Sequence, residues 1–130
     1  MKIFKDKATG KVNFVDENNV FVGYDMKHQC CEEYGWFLSD EIREEIPKKE
    51  FLEDEKGIKD LDLFVFDPGF YSKFWIKDKE HGEGSVIAFK MKNRDKEVYL
   101  HLFNCHNGFY GHGFEFKNER WGNTLLRDEL

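Results

Sequence analysis

Two short segments of the chain bring together side chains that can bind metals or act as nucleophiles. The first contains Cys30 and Cys31, and the second contains His101, Cys105 and His112. Imidazole and thiolate are preferred ligands of Zn²⁺, and a thiol beside an imidazole can become a nucleophile. The chain has no paired Cys-x-x-Cys spacing, which would be the stronger zinc signal. A simpler interpretation stays open, in which the histidines hydrogen-bond inside the core and the cysteines are small buried hydrophobic residues.

An Asn-Gly pair at residues 107–108 predicts how the second segment folds. Asn-Gly between two strand-like runs is typical of a type I′ hairpin, which fixes the register of its strands. This register places Phe103 opposite His112, and it makes His112 diagonal to both His101 and Cys105 on one sheet face. His101 and Cys105 lie about 13 Å apart along a strand, too far to bind one ion. The predicted metal site therefore combines His112, either His101 or Cys105, and either Cys30 or Cys31, while reactive-thiol chemistry would use Cys30, Cys31 or Cys105.

The elements that must position these residues have the pattern of β-strands. Short runs rich in Val, Ile and aromatic residues alternate with polar turn clusters, which is typical of antiparallel strands and hairpins. The run at residues 97–105 is apolar on both faces, so we expect it to be a central strand. The predicted strands comprise residues 3–4, 12–15, 20–24, 34–38, 63–66, 71–76, 85–91, 97–105 and 110–116.

One short helix is predicted near Ser39-Ile46. Ser39 can cap its N-terminus, and acidic residues follow in the first turn, where they favour the helix dipole. Ile42 and Ile46 share one face, and Pro47 ends the helix. Such a short helix depends on tertiary packing to persist.

These elements predict a β-rich α+β fold in one domain over residues 1–130. We expect a twisted antiparallel sheet, rolled or sandwich-like, with the one short helix near Ser39. The Asp67-Pro68-Gly69 turn should end the strand before it, and the tail after Trp121 should be helical or frayed. The predicted core comprises Phe14, Val20, Val22, Trp36, Phe64, Phe66, Trp75, Ile87, Phe89, Leu100, Leu102, Phe103 and Phe114.

Negative charge is concentrated in residues 40–62, which we call the acidic segment. It holds ten acidic and five basic residues, and so carries −5 of the chain's net charge of −6. A solvated face is one interpretation, and a surface that attracts a basic partner is the other. Phe51 and Leu52 could either fix the segment to the core or anchor the partner. The candidate interaction residues are Glu44, Glu45, Glu53, Asp54 and Glu55.

Charge and composition also exclude several classes of partner. The 20 Lys and Arg residues alternate with 26 acidic residues, so the chain lacks the basic cluster that binds nucleic acid or an anionic membrane. No apolar run is long enough to span a membrane. The N-terminus lacks the apolar core of a signal peptide, and the three cysteines include an adjacent pair that is unsuited to a disulfide scaffold. We therefore expect a cytoplasmic protein.

Two motifs resemble those of a small domain of unknown function found in bacteria and phages. The first is Cys30-Cys31-Glu32 with Trp36, and the second is His106-Asn107-Gly108-Phe109-Tyr110 followed by His112. The resemblance covers residues 10–38 and 85–116 and omits the acidic segment. It implies that the two motifs face each other, and it brings no activity and no catalytic residue.

The sequence therefore predicts a small non-enzymatic accessory module of bacterial or phage type that binds another protein and has no cofactor. The alternative is a zinc-binding protein or hydrolase that uses the cluster of cysteines and histidines. Oligomeric state is left open.

Overall fold

The computed structural model describes residues 1–28, 32–105, 111–119 and 122–130. Within these ranges the regular structure consists of nine β-strands and two short 3₁₀ turns, the latter at Lys49–Phe51 and Leu61–Leu63. The strands are β1 (Lys2–Lys5), β2 (Lys11–Val15), β3 (Val20–Asp25), β4 (Glu33–Ser39), β5 (Val65–Asp78), β6 (Gly82–Asn93), β7 (Lys96–Cys105), β8 (Gly113–Asn118) and β9 (Asn123–Glu129).

The strands form two open antiparallel sheets. One has five strands in the order β1-β2-β3-β8-β9, and the other has four in the order β4-β7-β6-β5. Alternate residues of both sheets point into a shared apolar core, as the two-residue period of a strand requires. The five-stranded sheet contributes Phe14, Val22 and Phe116, while the four-stranded sheet contributes Trp36, Phe89, Leu100 and Leu102.

Strand β7 is central, as its two apolar faces predicted. It lies between β4 and β6, and Leu100 and Leu102 point into the shared core, whereas Phe103 and Cys105 point to the outer face. Gly35 on β4 pairs with Phe103, and a Cβ at Gly35 would lie only 3.1 Å from the Phe103 ring. The missing side chain therefore gives the ring its space.

The predicted hairpin between the strand at 97–105 and the strand that follows it is wrong. Phe103 pairs with Gly35 and Val86, not with His112, and β8 pairs with β3 and β9 in the other sheet. Both edges of β7 are already occupied, so no edge remains for β8. The turn residues 106–110 lie outside the described residues.

The predicted helix near Ser39–Ile46 is not formed, and in the described part of the chain helical structure is limited to the two 3₁₀ turns that follow. Ser39 instead ends strand β4. A helix would bond the Arg43 and Ile46 amides to carbonyls four residues earlier, but side chains from the sheet accept them. His101 Nε2 accepts the Arg43 N–H at 3.0 Å, and Asp78 Oδ2 accepts the Ile46 N–H at 3.2 Å.

Strand β5 is longer than predicted. It runs through Pro68 with a register irregularity between Phe66 and Tyr71, which is tolerated because β5 is an edge strand. The same edge position leaves Trp75 58% exposed, so its assignment to the core is wrong.

The tail after Trp121 is a strand and not a helix. Strand β9 pairs with β8, and its partly buried Leu125 and Leu126 pack against the shared core. This packing fixes the tail as a strand, which its largely polar sequence did not predict.

Candidate functional site

The outer faces of the two sheets differ in what lies on them. A second apolar cluster lies on the outside of the four-stranded sheet, and the acidic segment adds Ile46 and Leu52 to it. We call this the covered face. The outside of the five-stranded sheet carries Lys11, Asn13, Gly23 and Glu115, and we call it the open face. The cluster on the covered face consists of Phe37, Ile46, Ile76, Val86, Phe103 and Cys105, with Leu52 and Phe74 packed against it.

His101 joins the covered face to the acidic segment. Its ring is fully buried and stacks on Phe37, with centroids 4.3 Å apart and planes 10° from parallel. Burial lowers the pKa of His101 to about 4, so the ring is neutral at pH 7. Nε2 accepts the Arg43 N–H, and Nδ1 lies 3.2 Å from the Tyr99 carbonyl oxygen, which can only accept. The proton is therefore on Nδ1, and His101 holds the backbone of the segment.

Further hydrogen bonds hold the same segment on the sheet. Asp78 Oδ2 accepts the Ile46 N–H, and the Glu53 N–H donates to the Trp36 carbonyl at 3.0 Å. Burial opposes ionisation of Asp78, but three backbone N–H groups donate to its carboxylate and hold its pKa below the usual value. The acidic segment is therefore fixed at Arg43, Ile46 and Glu53.

Cys105 lies within the cluster under this segment. It is 2% exposed, and burial, with the nearby carboxylates of Asp78 and Glu33, raises the pKa of its thiol to about 12. A cysteine acts as a nucleophile in its thiolate form. A lowered thiol pKa increases the fraction of thiolate near neutral pH. In this environment Cys105 stays protonated and acts as a small apolar side chain.

His112 lies in a different part of the molecule and is also buried. Its Nδ1 donates to the Asp25 carbonyl at 2.7 Å, and its Nε2 lies 3.0 Å from Glu32 Oε1. The ring stacks on Tyr34 with centroids 4.2 Å apart. The His112 and Glu32 side chains are 1% and 0% exposed. This pair joins the start of β4 to β8, and it connects the described ends of the two motifs that carried the family resemblance.

Of the predicted site residues that the structure describes, His101, Cys105 and His112 do not form one cluster. His101 and Cys105 belong to the covered face, whereas His112 is bound to Glu32 and Asp25. In the part of the chain that the structure describes, no group of three or more His, Cys, Asp or Glu side chains is arranged to hold a metal ion. Cys30 and Cys31 lie outside the described residues.

A hydrogen-bonded pair at the edge of the covered face was not predicted from the sequence. His81 Nδ1 is hydrogen-bonded to Glu33 Oε2, and the His81 ring lies near Phe103, with centroids 6.4 Å apart. The His81 backbone N–H also donates to Asp78. Glu33 and His81 are 48 residues apart, so no local motif links them.

The predicted interaction residues of the acidic segment all reach the surface. Glu44, Glu45, Glu53 and Glu55 are exposed, and Asp54 is half-buried. Residues 41–47 enclose an open cleft of about 530 Å³. Ile42 in this cleft is 37% exposed, and Phe51 beyond it is 58% exposed. Leu52 packs against the cluster, so one of the two apolar residues fixes the segment and the other faces solvent.

The open face carries a charge network that sequence analysis also missed. Glu115 contacts Lys11 and Arg127 at 3.0 and 2.9 Å, and Lys117 at 3.5 Å. Burial opposes ionisation, but hydrogen bonds from Lys11 and Arg127 lower the pKa of Glu115 to about 2. These residues come from β2, β8 and β9, which only the folded sheet brings close together, so their spacing in the chain gave no signal.

Comparison with protein-family models, with curated proteins and with solved structures gives no match to this chain. In the ranges that the structure describes, none of the helical turns has the length and apolarity needed to cross a membrane.

Proposed function

We propose that this protein is a non-enzymatic cytoplasmic binding module whose acidic segment binds a basic, partly apolar segment of another protein. The observation that carries the proposal is the open cleft at residues 41–47, which combines exposed carboxylates with the partly exposed side chain of Ile42. Charged rims around an apolar centre are typical of protein interfaces. The resemblance to a bacterial and phage domain adds the expectation of an accessory protein.

Preorganisation of the segment supports this proposal. A flexible loop loses conformational entropy when it binds, and that loss reduces affinity. Here His101 and Asp78 accept the Arg43 and Ile46 amides, and the Glu53 amide donates to β4. The backbone that presents the carboxylates is thus fixed before a partner arrives.

The charge distribution supports a basic partner in particular. The acidic segment carries −5 of the net charge of −6, so its field attracts cations more strongly than the rest of the chain does. Exposed charges mainly accelerate association and set specificity, and salt screens them. Binding should therefore weaken at high ionic strength, while contacts with Ile42 and Phe51 should persist.

The buried histidines and Cys105 favour binding over catalysis. Both His101 and His112 use their ring nitrogens in internal hydrogen bonds, and both are almost fully buried. The Cys105 thiol is protonated at neutral pH. A catalytic acid, base or nucleophile must instead reach the substrate.

The proposal is tested by reversing the charge of the five candidate carboxylates, Glu44, Glu45, Glu53, Asp54 and Glu55, to lysine. The probe is a fluorescent Lys/Arg-rich peptide that contains leucine and phenylalanine, and its affinity is measured by anisotropy at low and high salt. We expect the variant to lose about tenfold or more in affinity at low salt. A peptide in which serine replaces the apolar residues should bind more weakly to the wild-type protein.

A second variant provides the matched control. It reverses five exposed acidic residues outside the segment, namely Glu17, Glu83, Asp95, Glu119 and Glu129, and so has the same net charge. We expect this variant to retain most of the affinity, because none of the reversed charges lies in the acidic segment. Equal losses in the two variants, or binding that survives both charge reversal and high salt, would show that the acidic segment is not the binding surface.

A further inference from the structure

Among the residues that the structure describes, strand β5 has one free edge. It is the last strand of the four-stranded sheet, and β6 is its only strand partner among the described residues. The straight part of β5, from Tyr71 to Asp78, pairs with β6 without a further irregularity. A free edge presents a row of backbone donors and acceptors that another strand can bind.

Side chains along this edge alternate in an unusual order. Tyr71, Lys73, Trp75 and Lys77 share one face, because alternate residues of a strand point the same way. Tyr71 is 50% exposed and Trp75 is 58% exposed. Exposed tryptophan and tyrosine are enriched at the centres of protein interfaces. Aromatic and cationic side chains thus alternate along one face of this edge strand.

This alternation allows two copies of the strand to pair with each other in antiparallel orientation, with each lysine opposite an aromatic residue. In an antiparallel pair of two identical strands centred on Phe74, Lys73 lies opposite Trp75 of the second copy and Tyr71 lies opposite Lys77. Each lysine then faces an aromatic ring, an arrangement that supports cation–π contacts and favourable cross-strand pairs. On the other face Phe74 meets its own copy at the two-fold axis.

Neighbouring registers are less favourable. Centring the pair on Lys73 places that lysine opposite its own copy, and centring it on Trp75 places Lys73 opposite Lys77 twice. Like charges directly opposite each other destabilise a strand pair. A shift by one residue is excluded because it would put paired side chains on opposite faces.

We propose that two copies of this protein associate through β5, antiparallel and centred on Phe74, to form one continuous eight-stranded sheet. The contact is isologous, so it consumes the free β5 edge of both copies and closes at a dimer. Within its own chain, Lys73 Nζ donates to Asp128 Oδ2 at 3.1 Å and to the Glu129 carbonyl at 3.2 Å, which fixes Lys73 on the face that carries Trp75. This inference is independent of the proposed acidic binding surface.

Sedimentation velocity of the full chain over the micromolar range tests the proposal. We expect a concentration-dependent dimer, and we expect Trp75→Lys to abolish it, because this change places Lys73 opposite a lysine. Leu63→Lys is the matched control, since Leu63 is 54% exposed and lies outside β5, and it should leave the dimer intact. A wild-type protein that stays monomeric, or a dimer that Trp75→Lys does not weaken, would overturn the proposal.

The register is tested by cysteine cross-linking. Directly opposite residues in an antiparallel pair have Cα atoms about 4.5–5.5 Å apart, within the range for a disulfide. Phe74→Cys should therefore form a covalent dimer on oxidation, beyond any background seen in the wild type. Ser72→Cys should not, because Ser72 would lie opposite Ile76. A dimer cross-linked equally through both variants, or through neither, would contradict this register.

Discussion

The covered face and the open face are outer surfaces of two sheets that share one core. One is covered by a second layer of chain, whereas the other is exposed to solvent. The covered face is apolar, and its one buried histidine is neutral and accepts a backbone N–H from the acidic segment. The open face is polar, and its central carboxylate is ionised and surrounded by three cations. A sheet face that is apolar needs a second layer, whereas a charged face can remain in contact with water.

The difference also explains where the negative charge lies. The acidic segment contributes only a few apolar side chains to the covered face, with Ile46 and Leu52 turned inward. Its carboxylates remain on the outside. The same segment thus covers the apolar sheet face with its inward side chains and presents an acidic surface to solvent. This is why the negative charge is concentrated at residues 40–62.

The largest expected contrast comes from removing one phenylalanine from each face. Phe37→Ala leaves a cavity beside His101 on the covered face, where Phe37 is 1% exposed, and should cost about 3–5 kcal/mol of unfolding free energy. Phe4→Ala on the open side, where Phe4 is 55% exposed, should change it by less than about 0.5 kcal/mol. Urea denaturation measures both, and equal losses would remove the distinction between the faces.

Acid should weaken the covered face first. The pKa of His101 falls from 6.5 in the unfolded chain to about 4 in the folded protein, so the unfolded state binds the proton more readily. The stability that neutral His101 provides is complete above pH 6.5 and is lost as the pH falls towards 4, by about 3 kcal/mol at most. Urea denaturation at a series of pH values should show this slope.

Substitution of His101 measures how much this residue contributes to the pH dependence of the unfolding free energy. His101→Gln should flatten the loss of stability between pH 6.5 and 4, because glutamine does not titrate there. The control is His28→Gln, since His28 is exposed, and its profile should match that of the wild type. If His101→Gln keeps the full slope, His101 is not the group that responds to acid.

The open face should respond at lower pH and by less. Glu115 has a pKa lowered from 4.5 to about 2, so its ion pairs stabilise the fold above pH 4.5 and are lost as the pH falls towards 2. Glu115→Gln should cost about 1 kcal/mol at pH 7, because ion pairs near solvent contribute little. Glu119→Gln, an exposed neighbour, serves as the control. A loss as large as that for Phe37→Ala would contradict this ranking.

Much of the strand pattern could be predicted from local sequence. Alternation located β2, β3, β4, β6 and β7 within a few residues, because burial of alternate side chains is a local property of a strand. It also placed Leu100 and Leu102 on one face of β7, with Phe103 and Cys105 on the other.

Strand pairing could not be predicted in the same way, because it depends on distant residues. The Asn107-Gly108 signal favoured a hairpin, but the edges of β7 are occupied by β4 and β6. The helix signal at Ser39 failed for a similar reason, since the Arg43 amide is bonded to a side chain 58 residues away. The predicted cluster of cysteines and histidines depended on the hairpin register. Because the strands pair differently, His112 does not lie beside His101 and Cys105 on one sheet face.

The central claim is that the covered face presents the acidic segment as a surface for a basic partner. It is tested most directly by following backbone amide resonances of the ¹⁵N-labelled protein during titration with the Lys/Arg-rich apolar peptide. The account predicts chemical-shift changes concentrated at residues 41–55, with the amides of Lys11, Gly23 and Glu115 on the open face unchanged. Changes confined to the open face, or no changes at any peptide concentration, would contradict it.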